Sequence, residues 1–588
     1  YVLLHPNSRP EEADARFAGM IEKYVGPLVK KFFGTDIEDF FDQGNIYRMY
    51  LQPLGDIHLN PDIEQDLRAA SDPKYLWIFG SIAILIIVIA GINFMNLSTA
   101  QASKRAREVG IKLVSGSTKG ALVSQFLLET IILSFIALLV AILATELCLP
   151  YFNELLDTQL GIGYFDNWYT IPVLLGFSIL IGIFAGSYPS FYLSSFSPIN
   201  ILKGSKSGSK SNTRLRSLLV VLQFSISIIL IIGTSIMFRQ INYMLNKELG
   251  FNKEQVFVIT RGGTVSEQIQ SFKSEVRQIP GVMNIATATA IPGHNNNNNG
   301  YVMKGREEES FLLMTSWVDE DFMDVYELEM ADGRFFDKSY GAEEHAVIVN
   351  ETAVKAYNMT DPFNERFVDR DDETEETILM PIVGVVRDFH HESLQKPISP
   401  FIFRYREDFS WGYISIRLGT SASSQTIEEI EKVWESFTGG VPMQYFFLDK
   451  DFERLYKEEK QNAKLSILFT ILGILIASLG LYGLTTFTVR QRTKEIGIRK
   501  VFGASIPRIW LLISREIMIL IGISTLIAWP LVYWIADTWL QNYHYRISLE
   551  VFDFLIGFIV AIVIALLTTT YRTIRTAQLN PVDSLRYE

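Results

Sequence analysis

The sequence predicts a multi-pass α-helical membrane protein with large α+β domains outside the bilayer, built from two homologous halves. Three observations predict it. Seven apolar runs are each long enough to cross a bilayer, which takes about 20 helical residues. Lys and Arg gather in alternate loops between those runs, as they do on the cytoplasmic side of membranes. A basic motif occurs twice, its glutamates Glu108 and Glu495 standing 387 positions apart. Composition agrees: 588 residues, 48% of them hydrophobic, with a mean hydropathy of +0.18. The single cysteine, Cys148, rules out an internal disulfide or a thiolate metal cluster. With 53 Lys and Arg against 65 Asp and Glu, the formal charge of −12 argues against nucleic acid as a partner.

The spans are Tyr75–Leu97, Thr130–Leu149, Thr170–Tyr188, Ser217–Phe238, Leu465–Phe487, Ile517–Ile535 and Phe554–Thr570, the last extended past Asp553 by Val551 and Phe552. The loop after span 1 carries Lys104, Arg105, Arg107, Lys112 and Lys119, and the loop after span 3 carries Lys203, Lys206, Lys210, Arg214 and Arg216. After span 5 come Arg490, Arg492, Lys494, Arg499, Lys500 and Arg508, and the tail holds Arg572, Arg575 and Arg586. The opposite loops are poor in cations: 150–169 has none, and 536–553 has only Arg546. Residues 1–74 and 239–464 are therefore expected outside the cytoplasm.

The basic loops are copies of each other. Lys104-Arg-Ala-Arg-Glu-Val-Gly-Ile-Lys-Leu-Val-Ser-Gly-Ser-Thr118 matches Gln491-Arg-Thr-Lys-Glu-Ile-Gly-Ile-Arg-Lys-Val-Phe-Gly-Ala-Ser505, and the same spacing pairs Glu129 with Glu516. Ser197-Pro-Ile-Asn-Ile-Leu-Lys203 likewise resembles Asn580-Pro-Val-Asp-Ser-Leu-Arg586. The chain divides accordingly. Residues 1–74 read as the C-terminal remnant of a first external domain, and 75–203 as a first three-span domain with its basic loop at 99–119. Residues 204–216 read as a cytoplasmic linker and 217–238 as a further span. Residues 239–464 form a second external domain, and 465–588 a second three-span domain with its loop at 488–508. The chain begins with Tyr and has no signal sequence, so the repeat leads us to expect an N-terminal truncation and eight spans in an intact version.

The external domain alternates short strands and helices, the pattern of split β-α-β units. Strands are predicted at Gln255–Thr260, Ala346–Asn350, Ile378–Val386, Phe401–Tyr405, Tyr413–Arg417 and Met443–Phe447, and helices at Ser266–Ile279 and Gln425–Phe437. Residues 1–74 repeat the closing plan, with strands at Tyr1–His5 and Ile46–Leu51 around a helix Glu11–Val25. A last helix, Lys450–Lys464, is expected to run directly into span 5 as a stiff lever.

Several features invite chemistry and lose to plainer readings. Gly204-Ser-Lys-Ser-Gly-Ser-Lys-Ser211 lacks the glycine a phosphate-binding loop needs before its lysine, and is expected as a flexible linker. His390-His391-Glu392 offers metal ligands, but adjacent side chains on a strand point to opposite faces. Asn295–Asn299 is expected as a disordered loop tip. Glu129 and Glu516 would suggest a proton path, yet an apolar run long enough to span follows each, so they are placed near helix N-termini at the cytoplasmic interface. Pro530 is expected to kink span 6.

The repeated loops carry the strongest signal. A loop that only sets topology needs cations, not a matched Glu-Val/Ile-Gly-Ile-Lys/Arg pattern with a glycine six residues on. Gly116 and Gly503 permit a sharp reversal, and Thr118 and Ser505 are placed to cap the next helix. Each copy predicts a short amphipathic helix at the cytoplasmic face that offers charge to a two-fold partner such as an ATPase dimer.

These residues resemble the MacB/FtsX family of ABC-transporter permeases in its fused two-half form, over essentially the whole chain. The most specific matches are Arg107-Glu-Val-Gly-Ile-Lys112 and Lys494-Glu-Ile-Gly-Ile-Arg-Lys500 followed by Gly503-Ala504. Asn93-Phe-Met-Asn-Leu97, Gly186-Ser-Tyr-Pro-Ser190, Leu249-Gly-Phe251, Gly333-Arg-Phe335 and Gly384-Val-Val-Arg-Asp-Phe389 support them. The first copy departs from the pattern at Leu113, where a second cation is usual, and at Ser115, where an apolar residue is. The resemblance implies MacB-like periplasmic domains and a multi-pass place in a bacterial inner membrane. It also implies coupling helices on a cytoplasmic ABC ATPase dimer, formed here by Arg107, Glu108, Gly110, Lys112, Gly116, Lys494, Glu495, Gly497, Arg499, Lys500 and Gly503. ATP and Mg would then belong to the partner, this chain holding no catalytic residue, cofactor or metal, and a periplasmic adaptor and an outer-membrane channel are further expected partners. Export of peptides, antibiotics or lipoproteins by mechanotransmission is the implied function. The alternatives are a non-transporting FtsX-type regulator and an ion-coupled secondary carrier.

Overall fold

The structure, a computed structural model, describes residues 2–33, 36–42, 46–57, 59–60, 73–194, 209–294, 297–341, 343–370, 377–407, 411–491 and 493–577. It consists of two units. An extramembrane unit holds Tyr1–Pro73, Leu245–Lys457 and Tyr543–Tyr545, and a membrane unit holds the remainder.

Seven described helices are long and apolar enough to cross a membrane. They are longer than the apolar runs, because a helix held by its apolar middle propagates through neighbouring polar residues at little cost. Span 1 lies in Pro73–Val114, span 2 in Lys119–Leu156, span 3 in Thr170–Ser194 and span 4 in Ser209–Asn246. Spans 5, 6 and 7 lie in Lys457–Gln491, Ile506–Leu540 and Val551–Ala577. Two expectations fail for this reason. Residues 209–216, expected as linker, are already helical, while 204–208 lie outside the described residues. Glu129 and Glu516 sit well inside helices that start at Lys119 and Ile506, beyond the reach of the N-terminal dipole, which fades within the first turn.

Span 4 runs through the core of the membrane unit. Its Phe224, Ile228, Ile232 and Ile236 pack with Leu481 of span 5, Ala528 and Val532 of span 6, and Ala561 and Ala565 of span 7. Hydroxyl and amide groups tie the helices across these contacts, since lipid supplies no partners. Gln223 donates to Ala477 O at 2.8 Å, Ser524 to Val221 O at 3.0 Å, and Thr234 meets Thr470 at 2.7 Å. The buried Asp553, in the first turn of span 7's helix, is ion-paired with Arg239 at the end of span 4.

Among the described residues of the extramembrane unit, eleven strands form one sheet system. β1 (Val256–Ile259), β2 (Val282–Ala288), β10 (Tyr413–Leu418) and β11 (Tyr445–Phe447) lie in the order β11-β1-β10-β2. Every neighbouring pair is antiparallel. Helix Ile269–Val276 joins β1 to β2 and helix Ser424–Thr438 joins β10 to β11. Two interlocked split β-α-β units result, as the strand–helix alternation predicts. Helix and sheet close on Phe257, Phe272, Ile416, Ile430 and Trp434.

The chain between β2 and β10 is an insertion. β4 (Arg306–Val318), β3 (Asn297–Met303), β7 (Arg366–Arg370), β8 (Thr377–Val386), β6 (Val347–Asn350) and β9 (Phe401–Tyr405) pair in that order, and β9 pairs back with β4. The ring encloses Met303, Phe311, Leu313, Phe367, Met380 and Ile402, and β5 (Met330–Gly333) adds to β8.

Three readings are corrected here. Asn297–Asn299 are not a loop tip but the start of β3, paired with Thr315, Met314 and Leu313, because the ladder outweighs the poor strand propensity of Asn; Asn295 and Asn296 lie outside the described residues. Val2–His5 and Ile46–Leu51 form no strands, having no ladder partner among the described residues, although the helix between them is present at Pro10–Met20. The lever is broken: helix Leu448–Arg454 ends, Leu455 and Tyr456 form a turn, and a new helix starts at Lys457. The turn carries Tyr456 into the core, where its hydroxyl accepts the Leu394 N–H at 3.0 Å.

One buried ion cluster stands between the helices and the sheet. Lys273 reaches Asp319 at 2.7 Å and Asp321 at 2.8 Å, and Asp319 also accepts from the Thr287 backbone and hydroxyl at 2.6 and 2.8 Å. Lys273→Ala leaves a buried carboxylate without its cation, a loss of about 3–5 kcal/mol. Thermal unfolding followed through the buried Trp434 of the full chain should reveal it; a loss below about 1 kcal/mol would mean that water reaches the pair.

Candidate functional site

The two basic motifs fold into hairpins of one design. In the first, the span 1 helix continues without interruption to Val114. Ser115 N–H donates to Ile111 O at 2.9 Å, Gly116 to Leu113 O at 3.2 Å, and Ser117 to Lys112 O at 3.0 Å. This is a Schellman-type helix end, and it places Gly116 at φ +95°. Thr118 then caps the next helix, its hydroxyl accepting the Ala121 N–H at 3.3 Å.

In the second, Phe502 N–H donates to Ile498 O at 3.1 Å, Gly503 to Lys500 O at 3.0 Å, and Ala504 to Arg499 O at 2.9 Å, with Gly503 at φ +83°. Each bond is the counterpart of one in the first copy, 387 positions on. A side chain at either glycine would meet nothing, so the left-handed backbone and not crowding calls for Gly.

The same correspondence governs the side chains. Glu108 pairs with Lys112 at 2.9 Å, and Glu495 with Arg499 at 2.8 Å. The matched acid and base of the motif are therefore i,i+4 pairs along one helix, worth about 0.3–0.5 kcal/mol. Val109 packs on Leu122 and Phe126, and Ile496 packs on Ile509 and Ile513. These six residues close the hairpins and were missed by reading charge alone; the repeat itself holds the signal, as three apolar positions matched at one spacing. On the outer side Ile111 and Val114 stand exposed in the first copy, and Ile498, Val501 and Phe502 in the second, Phe502 to 86%.

Some expectations change. The first copy is the end of a 42-residue helix and not a separate short one. The second is helical over Thr493–Val501, following the span 5 helix that reaches Gln491, with Arg492 between them outside the described residues. Ser505 occupies the cap position, but its side chain makes no cap bond, and Pro507 stands in the first turn of the helix. Gly497 is buried. The side chains of Arg107 and Lys494, and the surroundings of Gly110, lie outside the described residues.

The histidine pair is structural. His390 and His391 lie on irregular chain, not on a strand, and are buried. The His390 ring meets Tyr545 edge-on at 4.7 Å, and the His391 ring meets Phe401 likewise. Burial pushes both imidazoles down to about 4. No group of three or more potential metal ligands occurs among the described residues.

Two predictions arise from this geometry. Gly503→Ala should weaken the second hairpin by about 1–2 kcal/mol, read as faster amide exchange at Ala504, with Gly503→Asn milder because Asn tolerates the left-handed region. For the histidines, the folded chain binds fewer protons than the unfolded one between about pH 4 and pH 6.5. Their contribution is complete above pH 6.5 and is lost as pH falls toward 4. The melting temperature should therefore drop between pH 7 and pH 5, and drop less in His391→Gln; equal slopes would contradict the assignment.

Comparison with known proteins addresses the same repeat. A family model described as FtsX-like permease C-terminal matches twice, over residues 80–198 and 467–581. The chain is 31% identical over 193 residues to the macrolide export ATP-binding/permease protein MacB of Bdellovibrio bacteriovorus, over 33% of this chain and 27% of that protein. It is 32% identical over 127 residues to the uncharacterized ABC transporter permease YknZ of Bacillus subtilis, over 21% of this chain and 31% of that protein. The matches thus span less than a third of the length of either relative. Among solved structures, the periplasmic region of MacB from Actinobacillus actinomycetemcomitans aligns with 36% of this chain and 96% of its own, at 14% identity and a TM-score of 0.26. This chain therefore carries two FtsX-like permease domains, set at the spacing of the repeat and each holding one hairpin.

Proposed function

We propose that this chain is the membrane subunit of an ABC transporter whose ATP-hydrolysing subunits are separate partner chains. It couples ATP hydrolysis in a cytoplasmic ATPase dimer to motion of its extramembrane domains. The observation that carries this reading is the duplication of one rigid hairpin down to its turn bonds, ion pair and buried trio. A topogenic loop needs no such agreement, whereas two contacts of matched backbone geometry on a two-fold partner do. The exposed apolar rim, Ile111 and Val114 in one copy and Ile498, Val501 and Phe502 in the other, is what a groove on each ATPase subunit would cover.

The two contacts are unequal. Ser115 stands where the second copy has the exposed Phe502, and aromatic residues dominate interface energetics. We place the stronger grip on the second hairpin. ATP and Mg are bound by the partner, and the site of action is a bacterial inner membrane with the large domains in the periplasm. The cargo class is peptides, antibiotics or lipoproteins, consistent with the macrolide export for which the MacB relative is named. A periplasmic adaptor and an outer-membrane channel would complete an export path.

The test is co-purification of the full chain with its ATPase. Reversing the charges at Lys494, Arg499 and Lys500 together should release or uncouple the ATPase, and Phe502→Ala should weaken binding by about 2 kcal/mol, more than Ser115→Ala does. Unchanged association and hydrolysis in the charge-reversed protein would sink the assignment.

A further inference from the structure

One short segment of the extramembrane unit gathers every chain exit that continues into spans 4 to 7. Phe389–Gln395 follows β8 and has no regular secondary structure. His390 N–H donates to Leu249 O at 2.8 Å, three residues past the span 4 helix. Gly250 beside it has φ +78°, and a Cβ there would fall 2.6 Å from Asp388 O, so the approach admits only glycine. Leu394 N–H donates to the hydroxyl of Tyr456, the residue before the span 5 helix, at 3.0 Å. Gln395 O accepts His544 N–H at 3.1 Å and Leu394 O accepts Tyr545 N–H at 3.4 Å, both from the connection between spans 6 and 7. Tyr545 is further held between the His390 ring and the Lys247 ammonium, which lies 4.9 Å from the Tyr545 ring centre.

The segment is also bedded inward. Phe389 packs on Phe401 at 5.2 Å and on Phe403 at 5.7 Å, both on β9, which joins β6 and β4 in the closed ring. His391 O accepts Gly293 N–H at 2.9 Å, at the β2–β3 connection. There His294 pairs with Asp451 of the helix leading to Tyr456. Seven residues therefore touch three tethers on one side and the sheet on the other.

We propose that Phe389–Gln395 is the mechanical node of the extramembrane domain, through which displacement of any tether reaches the β-ring and the other tethers. An irregular segment suits the task, because its backbone N–H and C=O groups are not committed to a ladder and bond outward in three directions. Packed aromatic contacts on its inner side are bistable instead of compliant, so a displacement is passed on and not absorbed. The ATP dependence of such motion rests on the function proposed above; the node itself does not.

The test therefore has two arms on the full chain in nanodiscs, read by hydrogen exchange at single amides. Without nucleotide, Tyr456→Phe removes one hydroxyl and keeps the ring. It should speed exchange about tenfold at His544 and Tyr545, which it does not touch. Tyr545→Ala should do the same at Gly293, which it does not touch, while β1 exchange stays at the wild-type rate in both. Effects confined to each variant's own contacts overturn the node. With the ATPase bound, ATP should change exchange along β9 in the wild type, and the double variant should lose that response while hydrolysis continues. A double variant that keeps the full response overturns the node. A wild type with no response overturns the coupling function instead, and the first arm alone then decides the node.

Discussion

The two halves of the membrane unit lock together where a glycine is set against a buried amide. Asn93 of span 1 lies against Gly480 of span 5, its own counterpart in the repeat, so closely that a Cβ at 480 would fall 1.8 Å from the Asn93 amide oxygen. Its amide nitrogen donates to Ile476 O at 2.5 Å. Leu97 meets Gly483 one turn on, and Phe79 stacks on Phe469 nearer the other end. The first contact joins positions related by the repeat and the others advance with it along both helices, so the equivalent helices run parallel and nearly in register. Association in lipid relies on close packing and interhelical hydrogen bonds, so a small residue facing a buried amide is a specific way to hold them. The two hairpins stand at the ends of these two helices.

Within each hairpin, the motif separates into parts with different duties. Its acid and base lie along the helix as an exposed pair of small energetic weight. Its branched apolar residue, Val109 or Ile496, faces inward and fixes the angle to the following helix. Its glycine reverses the chain at a backbone angle other residues resist. The remaining apolar residues face outward. A motif that reads as a charge pattern is, in three dimensions, a stiff corner with an apolar rim.

The extramembrane unit shows how an alternating pattern was both legible and incomplete. The strands at 256–259, 401–405 and 413–418 and the helix at 424–438 stand close to where strand–helix alternation places them. β3 and β4 were not legible, because Asn297–Asn299 and the charged start of β4 oppose strand propensity and are held by each other's ladder. Tyr456 was hidden in the same way. Helix propensity runs straight through 450–464, and only the cavity that receives the Tyr456 ring and the amide that meets its hydroxyl break the helix there.

The sequence by itself determined what depends on local and periodic information: seven apolar runs, the charge asymmetry of the loops between them, the two halves, the reversing glycines, and the split β-α-β alternation. Tertiary structure alone decided what depends on residues far apart in the chain. It set Asn93 on Gly480, closed β9 onto β4, and chose which apolar faces of the hairpins are buried. It also drew Leu249, Tyr456 and Tyr545 to a single irregular segment. The physical reason is common to all of these. Hydropathy and turn preference act over a few residues and are written where they act, whereas packing partners and hydrogen-bond acceptors are supplied by distant chain and exist only once the fold has brought them together.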